Sequence, residues 1–331
     1  MGAPGDVTRT VLVCGEVRTG LLPTFEPLDV RAAEQLLRLR ADELVLVSKR
    51  PNLYVLSPET LTGVDCRLPT SNGAKVRAVG TVAARAALTE GRLLQADAYF
   101  RAPASGPDER RPWGHYLVRP GTVEPLGKLP QETAAQGALA GSGRGELDLG
   151  LIAENLLARL LRHKLVVHRT PMKSQYTRLR WVALPAADGE GASIERFTLA
   201  EDELRTVRLR VPEGVEPAAV AGLCEDLALH DWLLTTIVRL LDSSRPGPAS
   251  RASKADEANE ADAALALRPA VEHLLHLWMP GARVHHVLAP LWEVLEREPG
   301  FSRQWHTLVQ RIRDQLAVQA IPLLRAALTP R

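Results

Sequence analysis

Cys66 and His115 are the residue types in this chain that suit nucleophilic chemistry, because an imidazole can take the proton of a thiol that then attacks an electrophile. Cys66 lies between Gly63 and the turn-like segment 69–73, so we expect it near a loop, where the neighbouring Arg67 favours the thiolate. The chemistry requires that strands bring His115 to Cys66. The alternative interpretation is that Cys66 is a small buried hydrophobic residue at a strand end.

Two pairs of charged residues suggest a binding site at one edge of a sheet. Glu16 and Arg18 follow the first apolar run of the chain, and Asp65 and Arg67 lie beside the loop that we expect near Cys66. Sites are commonly built where loops leave a sheet, so these four side chains are predicted to gather there and bind a ligand. Ordinary solvated loop charges are the competing interpretation.

Four histidines have the residue type of a metal site but not its spacing. His273 and His276 are three residues apart, and His285 and His286 follow the Pro-Gly turn at 280–281. Zinc proteases instead place two histidines four residues apart, with a glutamate between them. We therefore expect these imidazoles to form the polar rim of a helical hairpin, and we predict no metal.

Neither the glycines nor the charges of the chain indicate a nucleotide or a nucleic acid. The glycine-rich segments 15–20 and 141–145 do not have the spacing and strand–helix context of phosphate-binding loops. The 41 basic and 39 acidic residues give a formal net charge of only +2. We predict no cofactor and no nucleic-acid partner.

Three of the six tryptophans fall in the C-terminal part of the chain. Trp278, Trp292 and Trp305 lie on or beside predicted apolar helix faces, where a large aromatic side chain anchors either a core or an interface. Because tryptophan is frequent at the energetic centres of interfaces, we predict that these three residues bind a protein partner.

Cysteine usage and hydropathy favour the cytoplasm. The three cysteines, at 14, 66 and 224, are odd in number and far apart, which argues against a disulfide framework. The first residues lack the basic and apolar segments of a secretory signal. The longest apolar stretch, 227–241, is interrupted by charged residues and is shorter than the roughly 20 residues that span a bilayer. We expect no membrane partner.

The elements that must position these residues follow from apolar periodicity and turn residues. A hairpin is predicted from the strands 75–88 and 92–100, with Gly91 in its loop. Further strands are predicted at 10–14, 44–47, 54–56, 113–118, 177–184, 194–199 and 206–211. Helices are predicted at 30–40, 148–162, 218–241, 269–278, 287–297 and 302–328.

Composition predicts an α+β protein with a β-rich N-terminal part, a mixed middle region and a helical C-terminal part. Residues 1–130 form a β-rich α+β domain, 131–147 a linker of small residues, and 148–242 a mixed α/β region that ends in a long core helix. Residues 243–264 have almost no large apolar side chain and predict a flexible linker. Residues 265–331 form a helical unit.

Seven short motifs occur together in this chain: GEVRTG at 15–20, LTGVDC at 61–66, VGT at 79–81, WGHY at 113–116, EPLG at 124–127, HLWMPG at 276–281 and GFSRQW at 300–305. Together they resemble an uncharacterised family of actinobacterial proteins, found mainly in Streptomyces and its relatives. The resemblance covers nearly the whole chain. It implies a bacterial cytoplasmic accessory protein, encoded in a small gene cluster with a methyltransferase-like protein, and it supplies no catalytic residues.

Two functions remain open at this point, and they differ in whether the protein is an enzyme. The first is a non-catalytic binding or scaffold protein that acts with partners from its gene cluster, because the globular sequence carries no catalytic signature. The second is a transferase or hydrolase that uses Cys66 with His115 as its base. Separation of these two side chains across the sheet would exclude the second function as stated.

Overall fold

A mixed β-sheet forms the centre of the structure, a computed structural model that describes residues 10–201, 203–244 and 267–328. Its strands are β1 (Thr10–Leu21), β2 (Leu46–Ser48), β3 (Tyr54–Leu56), β4 (Thr60–Leu68), β5 (Val76–Thr89), β6 (Leu93–Pro103), β7 (Val123–Pro125), β8 (Thr177–Pro185), β9 (Ser193–Glu201) and β10 (Leu204–Val211). In space they follow the order β2-β3-β5-β6-β1-β8-β10-β9, and β4 and β7 also pair with β5. The pairs are antiparallel, except that β8 and β10 are parallel.

Helices cover both faces of this sheet. They are α1 (Val30–Leu37), α2 (Trp113–Leu117), α3 (Gln131–Ala140), α4 (Leu149–Leu161), α5 (Pro217–Ser243), α6 (Ala289–Arg297) and α7 (Phe301–Leu328). Residues 267–273 are also helical, and 3-10 turns lie at Leu275–Leu277 and His286–Leu288.

Side-chain alternation along the strands divides the interior into two apolar cores. On β5, Ala84, Ala86 and Leu88 belong to the core that α1, α3 and α4 cover, whereas Ala83 belongs to the core on the side of α5. The central strands are therefore buried on both faces. Burial on both faces explains how the alanine-rich sequence of β5 forms a strand, because small side chains let helices approach each face closely.

The predicted hairpin is confirmed as β5 and β6. Its turn requires glycine at position 91, where φ is +59°. A Cβ atom at Gly91 would lie 2.0 Å from the carbonyl oxygen of Leu28, so the turn also packs too closely for any side chain.

The predicted helices at 30–40, 148–162 and 218–241 are also present, as α1, α4 and α5. Asp29 caps α1 by accepting a hydrogen bond from the backbone N–H of Ala32, and Asp148 caps α4 by accepting one from Leu151. Side-chain caps of this kind satisfy backbone donors that the first turn of a helix leaves free.

Helix α5 packs against the sheet on one side and against the C-terminal helices on the other. Its residues Leu233 and Ile237 share one apolar core with Trp292, Phe301 and Trp305. The predicted helical unit 265–331 is therefore, in its described residues, continuous with the core of the sheet rather than separate from it. The predicted flexible linker 243–264 lies outside the described residues from position 245 onward.

The α+β class is confirmed, but two local predictions are wrong. The segment 113–118, expected as a strand, contains the short helix α2. The expected linker 131–147 contains α3, and β1 pairs with β8 across it, so the sheet does not divide there. The small residues of α3 serve close packing instead, because a Cβ atom at Gly137 would lie 2.5 Å from the backbone of Pro69.

None of the described helices combines the length and the apolar character needed to span a bilayer.

Candidate functional site

A cleft of about 450 Å³ opens between the sheet and the N-terminal half of α5. Arg85 of β5 and Gln95 of β6 contribute from the sheet, residues of β2 and β3 line it further, and the loop at 282–285 completes it. Pockets for small organic molecules typically have volumes of roughly 300–1,000 Å³. This cleft is therefore the candidate functional site.

The sequence of α5 creates the space. Ala218, Gly222, Glu225 and Leu229 follow one another at intervals of four, three and four residues, so they lie on one helix face, and all four line the cleft. A Cβ atom at Gly222 would have Arg85 Nη2, at 3.8 Å, as its nearest neighbour. Ala218 and Gly222 are thus too small to fill the gap between α5 and the sheet, and Glu225 places a carboxylate in that gap.

Arg85 and Glu225 form a buried ion pair in the cleft. Arg85 Nε donates to Glu225 Oε1 at 2.8 Å, and Arg85 Nη2 donates to Glu225 Oε2 at 3.1 Å. Both side chains are less than one-tenth exposed. Burial alone would lower the pKa of Arg85, but the carboxylate of Glu225 raises it above its ordinary value. Arg85 therefore keeps its charge, and the two hydrogen bonds join it to the carboxylate of Glu225.

Asp97 adds a second buried carboxyl group beside this pair. It lies directly opposite Arg85 in the β5–β6 register and is fully buried. Burial raises the pKa of Asp97 well above its ordinary value, and Glu225 raises it further. Arg85 and the indole N–H of Trp181 offset part of the rise. These effects favour the neutral acid.

Arg283 enters the cleft from the loop at 282–285. Its guanidinium lies over the ring of Tyr54, 4.3 Å from the ring centroid. Its Nη2 donates to the backbone oxygen of Asn52 at 3.3 Å and to the side-chain oxygen of the same residue. Its Nε is buried and has no hydrogen-bond partner within the described residues. Burial lowers the pKa of Arg283, and Tyr54, Asp226 and Glu90 offset only part of this effect.

Hydrogen bonds to α5 hold this loop in place. Asp226 Oδ2 accepts from the backbone N–H of Gly281 at 2.7 Å and from the indole N–H of Trp292 at 2.6 Å. His230 Nδ1 lies 2.7 Å from the carbonyl oxygen of Asp226, and its Nε2 accepts from the backbone N–H of Met279 at 3.2 Å. Burial lowers the pKa of His230, which fits a neutral ring that donates through one nitrogen and accepts through the other.

The structure does not bring Cys66 and His115 together. The Cys66 side chain packs against the core on the side of α1, α3 and α4, whereas Gly63 and Asp65, on the other face of β4, lie toward α2. His115 is part of α2, and its Nε2 lies 2.8 Å from Glu124 Oε2. Burial, with a smaller contribution from Asp65, raises the pKa of Cys66 to about 11. The predicted nucleophile is thus a largely protonated thiol without its predicted base.

The four predicted binding charges also lie apart. Glu16 and Arg18 are within β1, where Glu16 Oε2 accepts from Arg180 Nε at 2.9 Å and Arg18 Nη2 lies 3.2 Å from Glu154 Oε2. Two strands, β6 and β5, separate β1 from β4, which is about 14 Å at the usual strand spacing.

On β4, Asp65 accepts hydrogen bonds from Arg77 and Arg110, and Arg67 donates to the backbone oxygen of Arg144 at 3.1 Å. The expected gathering of these charges with Glu16 and Arg18 at one sheet edge is therefore wrong. Strand β1 does not end at Gly15, because that glycine lies mid-strand where the Trp181 ring covers the backbone.

The three C-terminal tryptophans predicted as interface anchors form internal contacts. Trp292 and Trp305 are buried, and Trp278 stacks on Trp305 with 4.4 Å between ring centroids. Both Trp278 and Trp292 also contact the His230 ring edge-on. They occupy the interior because α5 presents apolar residues to the C-terminal helices as well as to the sheet.

The histidines predicted at a polar rim lie on the surface or are half-buried. His285 lines the cleft, and its ring lies 4.3 Å from that of His286 between centroids. Across the described residues, no group of three or more His, Cys, Asp or Glu side chains is arranged to hold a metal ion.

Sequence reasoning missed the residues that line the cleft. Arg85 and Gln95, with Asp97 beside them, lie in the buried parts of β5 and β6, and Glu225 lies among the buried residues of α5. Charged residues inside mainly apolar elements were the available signal, since they are rarely buried without a partner.

No family model, no curated protein and no solved structure matches this chain. The functional interpretation of the cleft therefore depends on its own geometry.

Proposed function

We propose that the chain is a non-catalytic binding protein that holds a small organic molecule in the cleft between the sheet and α5. The observation that carries the proposal is an open space of about 450 Å³ in which apolar side chains and polar groups from three separate elements converge. Such a combination is the usual composition of a ligand pocket. Leu46, Leu56 and Leu229 form an apolar wall of the cleft. Arg85, Gln95 and Arg283 provide polar groups at the same cleft.

The polar groups of the cleft favour binding over catalysis. The carboxylate of Glu225 is engaged at both oxygens by Arg85, so it is a poor proton acceptor for a substrate. The alternative transferase or hydrolase loses its geometric support, because Cys66 and His115 point to different parts of the fold.

A neutral dye tests the proposal directly. N-phenyl-1-naphthylamine fluoresces strongly in apolar surroundings, and we expect saturable binding to the full chain. The Gly222→Trp variant, which places a large side chain in the cleft, should abolish this binding. The matched control is Leu151→Trp, which adds the same side chain at an exposed position of α4 on the other face of the sheet and should leave binding unchanged.

The proposal fails if the dye signal is equal in both variants or is not saturable. Circular-dichroism melts of the three proteins must be cooperative, because such dyes also bind partly unfolded chains.

A protein partner is a second candidate, favoured by the exposed apolar residues at α2. Trp113 is 37% exposed, Leu117 59% and Val118 76%, and the three residues are close in sequence. The implied cluster partner, a methyltransferase-like protein, would bind there rather than at the C-terminal tryptophans. Loss of co-purification from the native cell on changing Leu117→Glu, but not on changing Leu44→Glu, a leucine that is 93% exposed, would support this candidate.

A cytoplasmic location is part of the proposal. Cys14, Cys66 and Cys224 are free thiols in the structure, which suits a reducing compartment.

A further inference from the structure

We infer that the ligand of the cleft is an organic anion, with an apolar body and one carboxylate or sulfonate group that binds Arg283. This inference rests on the proposed function and adds the chemical class of the ligand. It depends on which charges in the cleft are already neutralised and which are not.

The two acidic residues of the cleft are already engaged. Both oxygens of Glu225 accept hydrogen bonds from Arg85, and Asp226 Oδ2 accepts from Gly281 and Trp292. A cationic ligand that binds Glu225 would have to displace one of the hydrogen bonds from Arg85. Such a displacement would leave a buried donor without a partner, which is unfavourable.

Arg283 is in the opposite situation. Its direct partners are an aromatic face and a neutral amide, and among the described residues the carboxylates of Asp226 and Glu90 act on its charge only from beyond hydrogen-bond distance. Its Nε is buried without an acceptor. Because Tyr54 and Asn52 hold the guanidinium in one orientation, its planar fork is ordered before a ligand arrives. An anionic group that contacts the guanidinium from the cleft would supply a direct countercharge.

Further residues fit an amphiphilic acid. Arg50 also lines the cleft and is exposed, so it adds positive charge at the rim. Leu46 lines the cleft as well and is 60% exposed, which suits a residue that a bound apolar group covers. The charged and apolar surfaces thus lie within one continuous space.

Two dyes with the same aromatic framework test the inference. 8-Anilinonaphthalene-1-sulfonate differs from N-phenyl-1-naphthylamine by one sulfonate, so their affinities for the full chain isolate the effect of the negative charge. We expect the anionic dye to bind at least about tenfold more tightly, the usual scale for a charge-assisted hydrogen bond. Added salt should reduce the difference, since part of the attraction is screened.

Substitutions then assign the effect to Arg283. The Arg283→Gln variant should lose the preference for the anionic dye, so that the ratio of the two affinities falls to about one. Arg283→Lys, which keeps the charge but not the fork, should retain part of the preference. The control is Arg297→Gln at an exposed position of α6, which should change neither affinity.

The outcomes separate the two proposals. If neither dye shows binding that Gly222→Trp abolishes, the proposed function is wrong. If both dyes bind in the cleft with equal affinity, or if Arg283→Gln weakens them equally, the cleft binds small molecules but the inference about anions is wrong. Binding of the anionic dye alone, abolished by both Gly222→Trp and Arg283→Gln, supports both.

Discussion

Removing the charge of Glu225 should destabilise the protein strongly, because Arg85 would then be a buried cation without its anion. The Glu225→Gln variant keeps the size and shape of the side chain and changes mainly its charge. Both partners are nearly buried, at 8% and 5% side-chain exposure, so water cannot compensate the guanidinium. Breaking a buried ion pair in this way costs about 3–5 kcal/mol. That is a large share of the roughly 5–15 kcal/mol by which a folded protein is usually stable.

The ionisation of Asp97 determines whether Glu225→Gln costs about 3 or about 5 kcal/mol. It lies opposite Arg85 in the β5–β6 register, and its raised pKa is due first to burial and then to Glu225. When the charge of Glu225 is removed, Asp97 ionises more easily and becomes the nearest replacement anion for Arg85. We therefore expect Glu225→Gln to lower the free energy of unfolding by about 3 kcal/mol. The double variant Glu225→Gln, Asp97→Asn lacks the replacement anion and should lose closer to about 5 kcal/mol.

Urea denaturation of the full chain measures these differences through the transition midpoint, provided that the slope with denaturant is unchanged. The control is Glu43→Gln, which removes the partner of Arg40 in an exposed ion pair and should cost no more than about 0.5 kcal/mol.

A second variant separates burial of charge from loss of packing. Replacing both partners, Arg85→Met with Glu225→Met, removes the charges together and should restore the stability to within about 1 kcal/mol of the original chain. The reasoning is refuted if Glu225→Gln costs less than about 1 kcal/mol, as an exposed pair would, or if the double methionine variant is as unstable as the single variant.

Three further predictions concern other parts of the molecule. The pKa of Asp97 is raised in the folded state, so above about pH 4 the folded chain retains a proton that the unfolded chain loses, and the free energy of unfolding falls as the pH rises. Denaturation measured from about pH 4 to 8 should show this fall in the original chain and not in Asp97→Asn. The same pH dependence of the free energy of unfolding in both proteins would contradict the prediction. Cys66, with its pKa of about 11, should react with iodoacetamide at pH 7.5 at least roughly a hundredfold more slowly than after unfolding, as mass spectrometry of the labelled peptide would report. A chain that ends at Ser244 should aggregate or melt without cooperativity, because α5 would lose the cover of Trp292 and Trp305; a cooperative melt would instead restore the idea of an independent C-terminal unit.

Periodicity and turn chemistry could predict most of the strands and helices from the sequence. The hairpin of β5 and β6 and the capped helix α4 were predictable because each depends on local signals, a turn at Gly91 and a cap at Asp148. The pairing of β1 with β8 was not, because it joins segments that are about 160 residues apart and carry no complementary local pattern. Small residues misled the prediction at 131–147, since close packing and flexible linkers both use them.

The site was harder to predict than the fold for a physical reason. Loops carry many charges that are usually solvated, so charged residues beside a predicted loop, such as Asp65 and Arg67, are a weak indication of a site. The cleft instead depends on how alternate residues of β5 and β6 meet one face of α5. A register shift of one residue would turn Arg85 to the opposite face, so the site is defined by tertiary pairing that a single sequence does not state.

Stability alone does not account for the polar groups of the cleft. Apolar residues in place of Arg85 and Glu225 would leave the fold at least comparably stable, and Arg283 retains a buried Nε without a partner in the described chain. A core selected only for packing would not carry unpaired polar atoms so close to an open space. Sequences depart from such rules mainly where function requires it, and Arg283 is the departure that lines the cleft, whereas Glu16 Oε1 and Thr24 Oγ1 lie elsewhere in the described chain. Binding of an acid would explain the departure at Arg283, because it would bring a countercharge to the guanidinium from outside the chain.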